Sequence, residues 1–367
     1  MSEYTNVPWD LMERFLMGAF TGYGVPEADA KIVVDVLMEA DRRGIESHGV
    51  NRFKPIYIDR MKAGIQNPVT HFEIVREGPT TAVIDGHDGM GQVIAYKAMN
   101  MAIEKAKKLG MGMVAVRNST HFGIAGYYAT MATKRGCVGW VGTNARPSIA
   151  PTHGVENMLG TNPITFGVPS DEPFDFLIDC ASSITQRGKI EQYARLGEKT
   201  PEGMVINRKG EPLTDSEQIL KDLVSGEAAL APLGGKNEAL AGYKGYGFAV
   251  LIELLSSVLQ AGSYMKLLNG IENGKKAPYH LGHFFVAIDV EAFNDLDAVR
   301  KQAGDILREL RASEKAPGHE RIYTAGEKEY ETWLQRKDTG VPVNTAVQQE
   351  LIAVRDELKI NIRFPFE

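Results

Sequence analysis

The hydrophobic periodicity of this sequence changes near residue 71, and that change limits the folds open to the chain. Before this point, apolar residues recur at helical spacing, and the predicted helices cover residues 9–23, 25–41 and 52–63. Beyond it, short apolar runs alternate with longer helical patterns. The predicted elements there include residues 72–75, 81–85, 93–109, 113–116, 138–143, 283–290 and 345–358. We therefore expect a mixed α/β core between N- and C-terminal helices.

Three glycine clusters test the chain for a dinucleotide fingerprint. Residues 110–115 match G-x-G-x-x-A, but a helix precedes them and a strand follows, which reverses the order that a Rossmann site requires and indicates a helix C-cap. Residues 86–91 follow a strand but read G-x-x-G-x-G, so we interpret them first as a turn and second as a phosphate cradle. Residues 242–247 lead into an apolar helix, where Lys244 and free N–H groups fit either a phosphate site or a hinge with a solvated lysine.

Composition excludes several classes of protein. A net charge of -6 argues against general nucleic-acid binding. Two cysteines, Cys137 and Cys180, favour a reducing cytoplasmic location over a disulfide scaffold. We expect no signal peptide, and the apolar residues 248–259 are too few to span a membrane, so we predict a buried helix there. His280 and His283 have no third ligand in view, so no metal site is expected.

The first candidate site is a cluster of three polar residues near residue 50. Ser47 and His48 are adjacent, and Arg52 lies four residues beyond the histidine. Histidine can transfer a proton near neutral pH, a serine can orient it, and an arginine can hold a carboxylate. A histidine that caps a surface helix beside a solvated arginine is the alternative.

The second candidate is His121, in the run Asn-Ser-Thr-His-Phe-Gly after a predicted strand. Polar residues past the carboxyl end of a strand often line the sites of α/β proteins. A loop histidine bonded to backbone is the alternative. Arg146 is similarly open, because it either faces a binding pocket, where it could hold a carboxylate, or lies on the surface.

Together these motifs resemble the malate/L-lactate dehydrogenase family that lacks a Rossmann fold. This family includes malate, sulfolactate and ureidoglycolate dehydrogenases, diketogulonate reductase and cyclic-imine carboxylate reductases. The likeness covers nearly the whole chain. Each motif by itself is a weak match, but the complete set in this order is specific. They are SHGVNRF (47–53), NSTHFG (118–123), TNARPSIAPTHG (143–154), LGTNPITFGVP (159–169), IDCASS (178–183), GYKGYG (242–247), LGHFFVAID (281–289) and PGHE (317–320).

The resemblance implies a non-Rossmann NAD(P)-binding α/β fold, α+β-like, with a largely antiparallel sheet wrapped by helices. It implies a helical domain of residues 1–75 with 315–367 and a central cofactor domain of residues 76–314. It further implies a homodimer, a small-molecule acid as substrate, and NAD as the cofactor, with NADP as the alternative. Neither nucleic acid nor a membrane is expected as a partner.

The resemblance also assigns residues to roles. His48 matches an acid/base histidine beside Ser47, and Arg52 matches an arginine for the substrate carboxylate. His121 matches a second histidine that is an alternative proton acceptor, and Asp179 is expected to orient a catalytic group or contact the cofactor. The implied cofactor contacts are His121, Phe122, Gly123, Asp179, Ala181, Ser182, Lys244, Gly318, His319 and Glu320. The implied substrate contacts are Arg52, Arg146, Thr161 and Asn162.

One position departs from the family pattern. Many members carry a tyrosine four residues after the matched arginine, where this chain has Ile56, followed by Tyr57. The reaction that we expect is hydride transfer between a nicotinamide and a 2-oxo or 2-hydroxy acid, with L-malate and oxaloacetate as the pair. The alternatives are a related 2-oxo or cyclic-imine acid reductase, a non-catalytic nucleotide-binding protein and, more remotely, a metal-dependent hydrolase.

Overall fold

The computed structural model describes residues 4–367. The N-terminal segment, where we expect no signal peptide, begins with three residues that lie outside the described residues. The strands are β1 (Tyr4–Val7), β2 (Glu73–Glu77), β3 (Thr81–Asp85), β4 (Met111–Ser119), β5 (Cys137–Thr143), β6 (Ile164–Val168), β7 (Phe176–Cys180), β8 (Val205–Asn207), β9 (Ala228–Leu230), β10 (Ile271–Glu272), β11 (Lys275–Lys276), β12 (Leu281–Asp289) and β13 (Val341–Asn344). The α-helices are α1 (Trp9–Gly22), α2 (Glu27–Arg42), α3 (Asp59–Lys62), α4 (Gly91–Leu109), α5 (Ala125–Thr133), α6 (Arg187–Leu196), α7 (Ser216–Ser225), α8 (Gly242–Leu255), α9 (Leu296–Ala312), α10 (Glu327–Arg336) and α11 (Thr345–Leu358).

A seven-stranded sheet in the order β2-β3-β4-β12-β5-β6-β7 forms the centre of the molecule. All neighbouring strands run antiparallel except the β3 and β4 pair. Strand β12 is buried along almost its whole length, as its run of apolar residues requires. Helices α4 and α5 pack on the sheet and bury their small residues against it. The prediction of a largely antiparallel sheet wrapped by helices is confirmed.

The two ends of the chain form a second, mainly helical unit. Strand β1 pairs antiparallel with β13, and α1 contacts both α2 and α11. The shared apolar cluster is centred on Phe15, whose ring contacts Phe53 at 5.6 Å and Phe364 at 5.1 Å between centroids. This arrangement supports the division into residues 1–75 with 315–367 and residues 76–314, which we retain as a proposal.

Two local expectations differ from the structure. Residues 186–242 are more regular than their composition suggests, because α6 packs on α7, and β8 pairs with β9. The prediction that the apolar helix is buried is wrong for one face of α8. Ile252 packs fully buried on the sheet, but Phe248 is 47% exposed and Leu254 is 51% exposed. Within the described chain, no helix has the length and apolar character needed to cross a membrane.

Candidate active site

The segment that carries the first two candidate catalytic residues is a pair of 3-10 turns. The turns cover Glu46–His48 and Val50–Arg52, with Gly49 between them. A Cβ atom on Gly49 would lie 2.2 Å from Oδ1 of Asp41, so only glycine fits without moving that carboxyl group. Asp41 is buried, and its Oδ2 accepts a 2.8 Å hydrogen bond from the Val50 N–H. This packing holds the connection between the turns in one conformation.

Side chains within these turns bond to one another. The Oγ of Ser47 lies 2.9 Å from Nδ1 of His48. Nε of Arg52 donates a hydrogen bond to the Ser47 carbonyl oxygen, and Arg52 forms no ion pair with any described residue. The cap position before the first turn is Ile45, so His48 is not a helix-capping residue. An arginine without a carboxylate partner beside a histidine is available to bind an anion.

His121 lies just beyond β4 and meets the first histidine across the boundary between the two units. The imidazole rings of His48 and His121 stack with centroids 5.6 Å apart and planes 22° apart. The hydroxyl oxygen of Tyr57 lies 2.6 Å from Nδ1 of His121. A Cβ on Gly91 would lie 2.4 Å from the carbonyl oxygens of both Thr120 and His121. The glycine cluster at residues 86–91 therefore allows α4 to approach the backbone at His121.

Desolvation by the surrounding protein favours the uncharged form of both imidazoles at neutral pH, although each histidine is partly exposed. Desolvation, followed by the nearby Arg52 guanidinium, lowers the pKa of His48 to about 4. Desolvation, with a smaller contribution from His48, holds the pKa of His121 well below its ordinary value. A neutral imidazole has one N–H donor and one acceptor nitrogen. The pair can therefore accept a proton from a substrate hydroxyl group and donate a hydrogen bond to its oxygen.

The residues that follow His121 are embedded in the core. The ring of Phe122 is 3% exposed and stacks on the buried His283, with centroids 4.5 Å apart. Gly123 has φ of +81°, and a Cβ there would lie 2.5 Å from a methyl group of Val36. Burial lowers the pKa of His283 to about 3, so this ring stays neutral. The Phe122 side chain has a packing role in the structure, and its carbonyl oxygen accepts a hydrogen bond from the Tyr128 hydroxyl.

Asp179, on β7, connects the sheet to the start of α5. Its Oδ2 accepts a hydrogen bond of 2.7 Å from the Gly126 N–H, and its Oδ1 accepts one of 2.8 Å from Thr165 Oγ1. Burial raises the pKa of the Asp179 carboxyl. The start of α5 directly follows the segment around His121, so these bonds position the second histidine. No described hydrogen bond joins Asp179 to either imidazole.

The predicted residues around the ends of β6 and β7 bond mainly to one another. Both the N–H and the Oγ of Ser182 donate to the Thr161 carbonyl oxygen, at 2.9 and 3.0 Å. Ala181, beside it, is partly exposed. The Asn162 amide is fully buried and bonds to the Ala145 N–H, the Ala249 carbonyl oxygen and the carboxylate of Glu253. Asn162 thus anchors α8, and its side chain is fully occupied within the protein.

Three arginines around the site have no carboxylate partner among residues 4–367. They are Arg52, Arg60 and Arg146. The guanidinium of Arg60 lies 4.3 Å above the centre of the Tyr279 ring. Burial lowers the pKa of Arg60, and repulsion by Arg52 and Arg146 lowers it further. Arg52 and Arg146 both repel Arg60, although Arg146 lines a different cavity from Arg52, and like charges without counter-ions favour the binding of an anion.

The remaining predicted cofactor residues lie on the surface. Lys244, in the first turn of α8, is exposed and lies 5.9 Å from the Tyr243 ring centre. A Cβ on Gly245 would lie 2.2 Å from the Leu233 carbonyl oxygen, so this glycine serves close packing. Gly318 has φ of +82°, and it forms an exposed turn with the other two predicted residues, His319 and Glu320. No hydrogen bond in the described chain joins any of these residues to the histidine pair.

A cleft of about 1280 Å³ reaches Ser47 and Arg52 of the first candidate segment, although neither His48 nor His121 is among its lining residues. Its lining includes Ser47, Arg52, Thr185 and Lys189. The hydroxyl groups of Ser183 and Thr185 are buried and, within residues 4–367, have no hydrogen-bond partner. A cleft larger than most small-molecule sites, with unpartnered hydroxyl donors just beyond β7, fits a dinucleotide together with a small acid. No group of three metal-ligating side chains occurs among the described residues.

Sequence reasoning missed two residues of this site and the role of a third. Arg60 lies two helical turns after Arg52, so helical spacing could have found it, whereas the π-helical turn over Phe53–Ile58 removes the α-helical register that would have given Tyr57 its role. The sequence places His283 on a predicted strand and in a family motif, argues against a metal there, and assigns this residue no role in the site. Its position on a continuous apolar strand was a signal that the ring would be buried, but its stacking on Phe122 depends on the pairing of β12 with its neighbours.

The fold and the site together define a hydroxy-acid dehydrogenase that uses a nicotinamide cofactor. Paired neutral imidazoles suit proton transfer, unpaired guanidinium groups suit an acidic substrate, and the volume of the cleft is large enough for a dinucleotide. The family model for malate/L-lactate dehydrogenase matches residues 7–352. The chain belongs to this family.

The names of similar proteins agree with this family assignment. The chain is 44% identical over 348 residues to malate dehydrogenase of Pyrococcus abyssi, a match that covers 95% of this chain and 93% of the relative. It is 39% identical over 352 residues to L-sulfolactate dehydrogenase of Methanocaldococcus jannaschii, covering 95% and 96%. The crystal structure of malate dehydrogenase from Entamoeba histolytica superposes with a TM-score of 0.95 at 44% identity, over 99% of this chain and all of that one.

Proposed function

We propose that this enzyme interconverts L-malate and oxaloacetate. The observation that carries the proposal is the group of three unpaired arginines beside two neutral imidazoles, because a dicarboxylate supplies two negative groups to match them. The names of relatives at 43–44% identity support the same substrate. A monocarboxylate such as lactate would leave one cationic centre without a partner.

Each residue has a defined task in the proposed reaction. Arg52 holds the carboxylate next to the reacting carbon, and Arg146 with Arg60 holds the distant carboxylate. His48 accepts the hydroxyl proton during oxidation and returns it during reduction, while Ser47 bonds to its other ring nitrogen. The nicotinamide, when bound, accepts or supplies the hydride. Because oxidation releases a proton, high pH favours malate oxidation and low pH favours oxaloacetate reduction.

We propose NAD as the cofactor, with NADP as the alternative. The assay described below compares NADH with NADPH and so distinguishes the two. Thr185, which lines the cleft, offers an unpartnered hydroxyl group, and Ser183, two residues before it, carries another. The exposed start of α8 with Lys244, and the exposed turn at residues 318–320, are the proposed contacts for the phosphates and the rest of the nucleotide. A basic residue near the ribose would favour NADP, and an acidic one would favour NAD.

We propose that the enzyme is a homodimer with α8 at or near the subunit contact. The uncovered face of this helix and the following turn carries Phe248, Leu251, Leu254 and Val258, which are between 38% and 65% exposed. A contiguous apolar surface of this kind is typical of an interface. Analytical ultracentrifugation of the protein and of Leu254→Glu tests this, since the variant should sediment as a monomer.

We also propose a cytoplasmic location. Both cysteines are free, with Cys137 buried and Cys180 partly buried, as in proteins that fold in a reducing compartment. The net charge of -6 supports a small acid rather than nucleic acid as the partner.

The test is a panel of 2-oxo acids with NADH and with NADPH, in which cofactor absorbance is followed. Oxaloacetate should be reduced at a rate well above that of pyruvate, sulfopyruvate, oxalurate and a cyclic imine acid. Rapid turnover of another acid would assign the enzyme to that substrate. No turnover with any acid, by a folded protein that binds NADH, would instead favour a non-catalytic nucleotide-binding protein.

A further inference from the structure

The segment between Arg52 and α3 is a π-helical turn that covers Phe53–Ile58. Pro55 lies inside this turn and has no N–H to donate to the preceding turn, and its ring crowds the carbonyl group four residues earlier. A π-helical turn is wider, so residues five apart, rather than four apart, lie above one another. Tyr57 is five residues after Arg52 and therefore takes the position that Ile56 would occupy in a regular α-helix.

This register gives the Tyr57 hydroxyl one partner in the described chain, which is Nδ1 of His121 at 2.6 Å. The Tyr57 side chain is fully buried, and burial raises the pKa of its phenol, so the hydroxyl keeps its proton. If Nδ1 carried a hydrogen, the buried Tyr57 hydroxyl would be a donor with no acceptor, which is costly. The Gly123 N–H also points at Nδ1, from 3.4 Å. Nδ1 of His121 is therefore the acceptor, and the ring hydrogen is on Nε2.

His48 has a different hydrogen-bond partner, so its ring nitrogens are less restricted in gaining or losing a proton. Its Nδ1 faces the Ser47 hydroxyl at 2.9 Å, and Ser47 is partly exposed, so its hydroxyl can accept from Nδ1–H while its own hydrogen turns to solvent, which the fully buried Tyr57 hydroxyl cannot do. His48 can therefore gain or lose a proton while that bond is kept. Protonation of His121 at Nδ1 would instead set its new N–H against the Tyr57 hydroxyl. The two stacked imidazoles are thus unequal, although both are neutral.

We propose that Tyr57 is a positioning residue that holds His121 as a fixed hydrogen-bond donor, which leaves His48 as the proton acceptor. This inference rests on the proposed dehydrogenase function and assigns a separate task to each of the two histidines. During oxidation the substrate hydroxyl proton passes to Nε2 of His48, and the hydride leaves the same carbon for the nicotinamide. The Nε2–H of His121 donates to the substrate oxygen throughout and is not transferred.

Tyr57→Phe tests the proposal because it removes one oxygen atom and keeps the ring. We expect kcat for oxaloacetate reduction to fall about 10-fold, with KM changed much less. The matched control is Tyr127→Phe, which removes a hydroxyl that donates to Asp35 at the same 2.6 Å distance outside the site. The control should keep the kcat of the original enzyme.

The tautomer is read directly by NMR of isotope-labelled histidine, with the His121 signals identified by their loss in His121→Gln. We expect Nε2–H in the original protein and a mixture of tautomers in Tyr57→Phe. Nδ1–H in the original protein, or the same signals and kcat in both proteins, would overturn the proposal. If the original protein reduced none of the acids, the proposed function would fail, yet these spectra would still decide the role of Tyr57.

Discussion

The two segments that supply the paired histidines are built differently. Residues 46–58 are two 3-10 turns and a π-helical turn, and few regular helical bonds hold them. Residues 119–126 are clamped between the sheet and two helices. There the Thr120 hydroxyl donates to the Gly89 carbonyl oxygen at 2.7 Å and accepts from the Gly91 N–H at 3.0 Å, and Tyr128 bonds to the Phe122 carbonyl oxygen.

This difference matches the different roles that we assign to the two rings. The irregular segment places side chains that change protonation or grip a substrate, and its bonds involve groups that can exchange donor and acceptor roles. The clamped segment presents a ring whose hydrogen is fixed. Substitutions in the first segment should therefore alter catalysis and its pH dependence, and those in the second should alter stability and orientation.

The largest expected effect separates the histidines themselves. His48→Gln removes a group that accepts a proton, so turnover should fall roughly 100- to 10,000-fold. His121→Gln keeps an N–H donor, so its loss should be about 10-fold. Steady-state kinetics with oxaloacetate measure both variants, and binding of NADH serves as the check on folding. Equal losses in the two variants would remove the distinction between them.

The next effect separates Arg52, in the first segment, from Arg146, which lies outside both segments. Arg52→Lys cannot keep the planar two-point grip on a carboxylate, so KM should rise roughly 10- to 100-fold for every 2-oxo acid. Arg146→Lys, on the sheet side, should raise KM for oxaloacetate and leave that for pyruvate unchanged. A parallel rise for both acids in Arg146→Lys would contradict a role in binding the distant carboxylate.

Glycine substitutions compare how rigid the two segments are. Gly91→Ala places a Cβ 2.4 Å from backbone oxygen atoms, whereas Gly49→Ala places it 2.2 Å from the Asp41 side chain. Each should lower the free energy of unfolding by about 1–3 kcal/mol, with the larger loss at Gly91 because backbone cannot move aside. Gly247→Ala, with nothing within 4 Å, is the control. Denaturant unfolding measures all three, and a larger loss at Gly49 would reverse the comparison.

The most gradual effect, spread over several pH units, concerns the pH dependence of stability. Burial raises the pKa of Asp41 from 3.8 to about 8, so the folded state prefers the protonated acid. Its stabilising contribution is complete below pH 3.8 and is lost as pH rises towards 8, by at most about 1.4 kcal/mol per pH unit. Asp41→Asn keeps an oxygen for the Val50 N–H and cannot ionise. Its Tm relative to the original protein should rise between pH 5 and about 8, and a constant difference would show that Asp41 does not titrate there.

Much of the fold was predictable because the relevant signals are local. The patterns over residues 93–109 and 345–358 became α4 and α11, and Gly110 ends α4 with φ of +85° as a C-cap should. The apolar run at residues 283–290 became the central strand β12. Periodicity could not show which face of α8 would be covered, because that depends on what the sheet and any second subunit present to it.

The sequence predicted which residues form part of the site better than it predicted the contacts between them. The motif at residues 47–53 named Ser47, His48 and Arg52, which the structure brings beside one another. The one-residue offset of Tyr57 could not be interpreted from helical spacing, because the π-helical turn replaces the α-helical register that the spacing assumed.

The sequence by itself determined the elements, the glycine positions and the residue types available for chemistry, since these follow from side-chain pattern and backbone freedom over a few residues. Only the tertiary structure decided that His48 and His121, which are 73 positions apart, would stack, and that Tyr57 would reach across 64 positions to His121. These contacts arise where the helical unit docks on the sheet. That docking is the sum of many packing contacts distributed along the chain, so no single motif encodes it.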